Sequence, residues 1–131
     1  MILLDTHSLL WWVNRDRELS AGASAAIEAE MPGGEILVSS MSVWEIALLV
    51  TRGRLGLGME LGAWLASVET VPGVKFLPVD NKIAVLAITL PDEFHKDPAD
   101  RIIVATARKF GAPIVTADEK IRSYRHVRTI W

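Results

Sequence analysis

The feature that most constrains this chain is the recurrence of short stretches that are apolar at every position instead of at every second one. Ile2-Leu3-Leu4, Ile36-Leu37-Val38 and Ile114-Val115 are such stretches, and longer segments with helical spacing separate them. A strand with no polar side must be covered on both faces, which happens when helices flank a parallel sheet. The pattern predicts strands over 1–4, 36–38, 75–78, 113–116 and 127–130. It predicts helices over 6–13, 20–30, 41–51, 61–68, 81–90, 98–110 and 119–124, with Pro and Gly pairs such as Pro32-Gly33 and Pro72-Gly73 as stops. The expected fold class is α/β: a three-layer α/β/α sandwich around a central, mostly parallel sheet of about four to five strands. No repeat, linker or low-complexity tract divides residues 1–131, so one domain is expected.

Composition narrows the function classes. Half of the 131 residues are hydrophobic, enough for a substantial core, and there is no cysteine, which excludes disulfides and thiolate metal sites. The N-terminus lacks the basic region of a secretory signal, and Asp5 interrupts its apolar run. No stretch approaches the roughly 20 apolar residues of a membrane span, so a soluble, cytoplasmic protein is expected. The net charge of −2 points to no nucleic-acid partner by itself, yet the charge is uneven. Residues 1–100 carry seven Lys and Arg against fourteen Asp and Glu, whereas 101–131 carry seven against two. Lys120, Arg122, Arg125 and Arg128 thus form either a basic surface or a solvated helix face.

In open parallel sheets, ligands collect at the carboxyl ends of strands. Four segments deliver acids there. Asp5 follows the first strand, Glu45 lies early in the helix after the second, Asp97 and Asp100 open the helix at Pro98, and Asp118 follows the fourth strand. Each has a structural alternative. Asp5, Asp97 and Asp118 could be helix N-caps, and Ser42-Val43-Trp44-Glu45 matches a capping box. Asp100 would also favour the positive end of its helix. Taken together they suggest more. Glu45 has Met41, Ser42, Leu48 and Leu49 as helical neighbours, so its carboxylate is partly desolvated and calls for a compensating cation. Acids converging in one cleft would raise one another's pKa values unless a hard divalent ion such as Mg²⁺ neutralised them. His7, His95 and His126 have no ligand spacing and read as surface or cap residues. Trp11, Trp12 and Trp44 read as core packing, with base stacking the alternative.

These residues resemble a known family. Leu3-Leu4-Asp5-Thr6-His7, Ser39–Ser42 followed by Trp44-Glu45-Ile46, Asp97-Pro98-Ala99-Asp100-Arg101 and Thr116-Ala117-Asp118 occur in the order and spacing of PIN-domain nucleases, close to the VapC-type toxins. Gly53-Arg54-Leu55, Leu90-Pro91 ahead of His95, and Tyr124 with the terminal Trp131 extend the likeness over essentially the whole chain. Single pieces are unspecific; the ordered set is not.

The resemblance implies an acidic quartet of Asp5, Glu45, Asp100 and Asp118 that holds Mg²⁺ or Mn²⁺ and cleaves RNA through a metal-activated water. Asp100 is preferred to Asp97 as third acid because Ala105 and Ala107 follow at the family's small-residue positions. Thr6 and Thr116 correspond to hydroxyl residues beside the metal. Arg101 is a candidate for a phosphate contact or for an internal salt bridge to Asp97 or Asp100. The same likeness implies a homodimer and a cognate antitoxin protein that blocks the cleft. Other readings are a PIN nuclease of RNA processing outside any toxin–antitoxin pair and a non-catalytic RNA- or protein-binding module. A phospho-receiver domain fits poorly, because Asp5 is followed by Thr6 instead of a second acid.

Overall fold

The computed structural model describes residues 1–131 and alternates strands and helices in the order that the apolar runs predict. The elements are β1 (Ile2–Leu4), α1 (Thr6–Val13), α2 (Ala21–Glu30), β2 (Ile36–Ser39), α3 (Ser40–Thr51), α4 (Leu61–Glu69), β3 (Val74–Leu77), α5 (Asn81–Ile88), α6 (Pro98–Phe110), β4 (Ile114–Val115), α7 (Glu119–Arg122) and β5 (Thr129–Ile130). All strand pairings are parallel, in the order β3-β2-β1-β4-β5. The central strand is therefore the first in sequence, with Leu4 paired to Val38 on one side and to Val115 on the other.

Strand pleating divides the fully apolar runs between two cores. Leu3, Leu37 and Ile114 face one side and pack with Ile83, Ile103, Val104 and Ile121 from α5, α6 and α7. Ile2, Leu4, Ile36, Val38 and Val115 face the other, where α1 to α4 supply Leu9, Ile27, Ile46 and Trp64. Burying each such Leu or Ile side chain contributes roughly 1.5–3 kcal/mol. This double coverage explains why these strands show no polar alternation, and it confirms the expected sandwich. No helix is long and apolar enough to cross a membrane.

Element ends differ from expectation by a few residues for local reasons. Helix α5 stops at Ile88, because Leu90 precedes Pro91 and a residue before proline avoids the helical region. β4 begins only at Ile114, since Pro113 has no N–H to give the ladder. Helix α6 keeps its expected bounds: Asp97 caps it, Pro98 starts it, and Gly111 ends it at φ 65°, a conformation that favours glycine. The capping box expected at Ser42 does not form. Ser39 caps α3 one turn earlier by accepting from the Met41 amide at 3.0 Å, which leaves Glu45 free for another partner.

The chain leaves β1 toward β2 and β3 on one side, and returns through β4 and β5 on the other. This reversal beside β1 is the topological switch point where an open parallel sheet offers a crevice.

Candidate active site

Asp5 is the first residue beyond β1 and caps α1, its Oδ1 accepting from the Ser8 amide at 2.8 Å. The structural and functional readings of this acid are compatible. The cap uses one oxygen, while the carboxylate also lines a cleft of about 530 Å³ at the carboxyl ends of the strands. Burial pushes the Asp5 pKa up, against the opposing effect of hydrogen bonds from the Thr116 hydroxyl and from Ser8. Thr116 Oγ1 in turn accepts from the Asp118 amide at 3.0 Å. One buried hydroxyl thus ties the acid after β1 to the turn after β4.

Glu45 reaches the same cleft from α3. Thr6 Oγ1 donates to its Oε1 at 2.6 Å, and the buried Ser42 hydroxyl lies 2.9 Å from Thr6 Oγ1. A hydroxyl carries one proton, so Thr6 gives its own to Glu45 while Ser42 donates to Thr6. Burial raises the Glu45 pKa; the Thr6 bond works against it, and the charge of Asp97 adds to it.

Two acids come from the start of α6. Asp97 is exposed and caps the helix, accepting from the Ala99 and Asp100 amides at 2.9 and 3.2 Å. Asp100 points inward with 23% of its side chain exposed. Burial, and then the charges of Asp97, Asp118, Glu45 and Asp5 in decreasing order, push its pKa from 3.8 up to about 7. Asp118, which caps α7 by accepting from the Lys120 amide at 2.9 Å, completes the set. All four acids of the predicted quartet, and Asp97, face one cleft. As they are placed, no three His, Asp or Glu side chains stand together in an arrangement that could hold a metal ion.

Other residues lie where the sequence did not put them. His95 is neither a surface nor a cap residue. It lines the cleft with Nε2 3.0 Å from Asp100 Oδ2, at ion-pair distance but out of line for a hydrogen bond. Trp11 also lines it and meets Trp131 at 5.7 Å, while His7, exposed at the surface as expected, lines it with its ring 5.7 Å from Trp11. Trp12 packs against a core as expected, but Trp44 is 59% exposed on α3. The Trp44 pattern misled because α3 has apolar residues on nearly every side, and only Ser42 and Ile46 of this helix are buried.

Arg101 makes neither a carboxylate pair nor an open phosphate contact. Its guanidinium donates to four backbone carbonyls: Ala87 at 2.8 Å, Phe94 at 2.9 Å, and His95 and Ile88 at 3.3 Å. It therefore fastens the segment 89–97 to the last turn of α5, whose carbonyls have no helical partner, and so holds His95 beside Asp100. Of the C-terminal cations, Lys120 lines the cleft mouth. Arg122 lies 3.6 Å from Glu119, Arg125 pairs with Asp92 at 2.6 Å, and Arg128 donates to the Gly111 carbonyl at 2.8 Å.

A hard oxygen donor set with unbalanced negative charge suits Mg²⁺ or Mn²⁺. Mg²⁺ commonly takes only one or two carboxylates and completes its shell with water and phosphate. The acids here are drawn from four separate segments; Asp5, Asp97 and Asp118 are held in place as helix caps and Glu45 by Thr6.

The sequence profile of the PIN domain matches residues 2–127. The chain is 37% identical over 132 residues to Ribonuclease VapC22 of Mycobacterium tuberculosis (strain ATCC 25618 / H37Rv), covering 99% of this chain and 98% of that protein. Among solved structures, it superposes on VapBC2 from Rickettsia felis bound to a promoter DNA fragment with a TM-score of 0.72 at 16% identity, covering 98% and 97% of the two chains. It also superposes on Mycobacterium tuberculosis VapC20, a sarcin-ricin loop cleaving toxin, with a TM-score of 0.64 at 19% identity, covering 98% and 99%. At these identities the two superpositions establish the fold.

Proposed function

This chain belongs to the PIN domain family, and from that premise we propose that it is a divalent-metal-dependent endoribonuclease acting as the toxin of a toxin–antitoxin pair. The observation that carries the proposal is the meeting of Asp5, Glu45, Asp100 and Asp118, from four segments of the chain, in one cleft at the switch point of the sheet. The relative at 37% identity, named a ribonuclease, gives the class of substrate.

Asp5, Asp100 and Asp118 would hold Mg²⁺, with Mn²⁺ as a substitute. Such an ion, when bound, supplies positive charge at the scissile phosphate and lowers the pKa of water. Glu45 has Oε1 engaged by Thr6, so Oε2 is the oxygen that takes a proton from the attacking water. Its raised pKa brings it closer to the range of an effective base at neutral pH. Thr116 orients Asp5, and Lys120 at the mouth offsets the repulsion between an acidic cleft and a polyanion. Water as nucleophile leaves a 5′-phosphate and needs no ribose 2′-hydroxyl. Selectivity for RNA over DNA would then arise in the surrounding groove.

Its structural relatives include toxin–antitoxin complexes, and the family resemblance implies for this chain a cognate antitoxin that covers the cleft with a basic residue toward the carboxylates, and a homodimer. The test is cleavage of a mixed RNA pool by the wild type and by Asp5→Asn, each with Mn²⁺ and with EDTA. The expected result is cleavage by the wild type with Mn²⁺ alone. Cleavage that survives EDTA, or that Asp5→Asn retains while folded, would remove the proposed site.

A further inference from the structure

The acidic cleft does not end at Lys120. A second hollow of about 440 Å³ shares His95 and Lys120 with it, and a third of about 390 Å³ shares Arg125 and His126 with the second. The three hollows follow one another from the carboxylates toward the C-terminal segment, each sharing two lining residues with the next, and Asp92 and Glu93 line the middle one. Their chemistry changes sign along the way. The third hollow is lined by Arg108, Arg125 and Arg128, together with His126, and by no carboxylate.

The three arginines are exposed, but they are not loose. Arg108 Nη1 donates to the His126 carbonyl at 2.6 Å, and Arg128 Nη2 donates to the Gly111 carbonyl at 2.8 Å. Arg125 is held by Asp92, which also takes His126 Nε2 at 2.6 Å. The carbonyl contacts of Arg108 and Arg128 satisfy the end of α6 and the chain before β5, which is their structural role. Each uses one guanidinium donor of five. Arg125 is already balanced by Asp92, whereas Arg108 and Arg128 contact only carbonyls and keep their charge uncompensated; their remaining donors match phosphate oxygens in pairs.

We propose that the Arg108–Arg125–Arg128 hollow is a phosphate subsite of the RNA groove, holding the backbone of the same strand whose scissile phosphate lies among the carboxylates. The proposal deepens the ribonuclease reading and rests on it. RNA is preferred to an acidic protein segment because shared lining residues, His95 and Lys120 and then Arg125 and His126, lead from the cleft to this hollow. The subsite separates the two needs of the enzyme: affinity comes from the arginines, and chemistry from the acids that would otherwise repel the strand.

The test is equilibrium binding of a single-stranded oligoribonucleotide of about twelve nucleotides to the full chain, in EDTA so that no turnover intervenes. Salt is varied from about 50 to 200 mM. Arg108→Gln, Arg125→Gln and Arg128→Gln are each expected to weaken binding roughly threefold to tenfold at the lowest salt. Each should also flatten the slope of log affinity against log salt by about 0.7. The Arg→Lys counterparts keep the charge and are expected to keep the slope, which separates a phosphate contact from a loss of fold. Gln variants that bind with the wild-type slope would overturn the subsite. So would unchanged RNA binding alongside loss of binding to a polyglutamate peptide, which would assign the arginines to a protein partner. The ribonuclease reading fails separately, by absence of Mn²⁺-dependent cleavage in a wild type that still binds RNA.

Discussion

Thr6 Oγ1 lies 2.6 Å from Glu45 Oε1, and this contact joins the first residue of α1 to the second turn of α3. It links two elements that carry proposed catalytic acids, since Asp5 directly precedes Thr6. With Ser42 donating from behind, the hydroxyl has a single direction in which to offer its proton. Glu45 therefore has one oxygen held and one presented.

Thr6→Val removes that donor with little change of shape. Loss of the oriented carboxylate is expected to lower kcat about tenfold to a hundredfold, with Thr6→Ser retaining most activity. The unpartnered Ser42 hydroxyl and Glu45 carboxylate are expected to reduce stability by about 1–3 kcal/mol. Steady-state cleavage and denaturant unfolding of the two variants check both effects. A Thr6→Val enzyme with wild-type kcat would show that Glu45 needs no such holding.

Arg101 behaves as a fastener of backbone and not as a ligand for RNA. Arg101→Ala frees the carbonyls of Ala87, Ile88, Phe94 and His95, and is expected to cost about 2–4 kcal/mol in stability. Arg101→Lys cannot reproduce the fork and is expected to rescue only part of it. Because the guanidinium is already occupied, neither variant that folds is expected to change the salt dependence of RNA binding. A salt slope lowered as far as by the surface arginines would contradict that reading.

The acidic cluster should work against folding when no cation is bound. Folding raises the Asp100 pKa from 3.8 to about 7, so between these values the folded state holds more proton than the unfolded one. Stability is then fully present below about pH 4 and declines as pH rises through about 7. The raised Asp5 and Glu45 act in the same direction. Thermal unfolding in EDTA is expected to show Asp100→Asn melting roughly 2–5 °C above the wild type near pH 8. Near pH 5 the two should lie closer together. A gap that is absent at the higher pH, or reversed, would contradict the strain attributed to this site.

Trp44 is exposed at 59% and lies outside both cores. Trp44→Ala is accordingly expected to change stability by less than about 0.5 kcal/mol, a prediction that chemical denaturation checks. A loss of several kcal/mol would place the ring in packing that the exposure does not show.

The sandwich was legible because its strands advertise burial on both sides: Leu3 and Leu4 point to opposite cores, and both are fully covered. Asp5, Glu45, Asp100 and Asp118 were legible because they stand just after strands or early in helices, where a parallel sheet opens. The caps read at Asp5, Asp97 and Asp118 form, whereas the capping box read at Ser42 and Glu45 does not, since Ser39 caps α3. His95 was not legible. Its approach to Asp100 depends on Arg101 and Tyr124 tying down the segment 89–97 through backbone carbonyls, and carbonyls leave no mark in a sequence. Arg101 was misread for the same reason, because the nearby acids are more visible on paper than the carbonyls it binds.

Service of these carboxylates to a divalent cation is tested most directly by calorimetric titration of Mn²⁺ into the wild type, Asp5→Asn and Asp100→Asn at about pH 7.5. Wild-type protein is expected to bind Mn²⁺ with release of protons, as a carboxyl near pKa 7 gives up its share. Either substitution should weaken binding by at least roughly a hundredfold while the fold persists. Folded variants that bind Mn²⁺ as tightly as the wild type, or a wild type that binds none, would contradict the account.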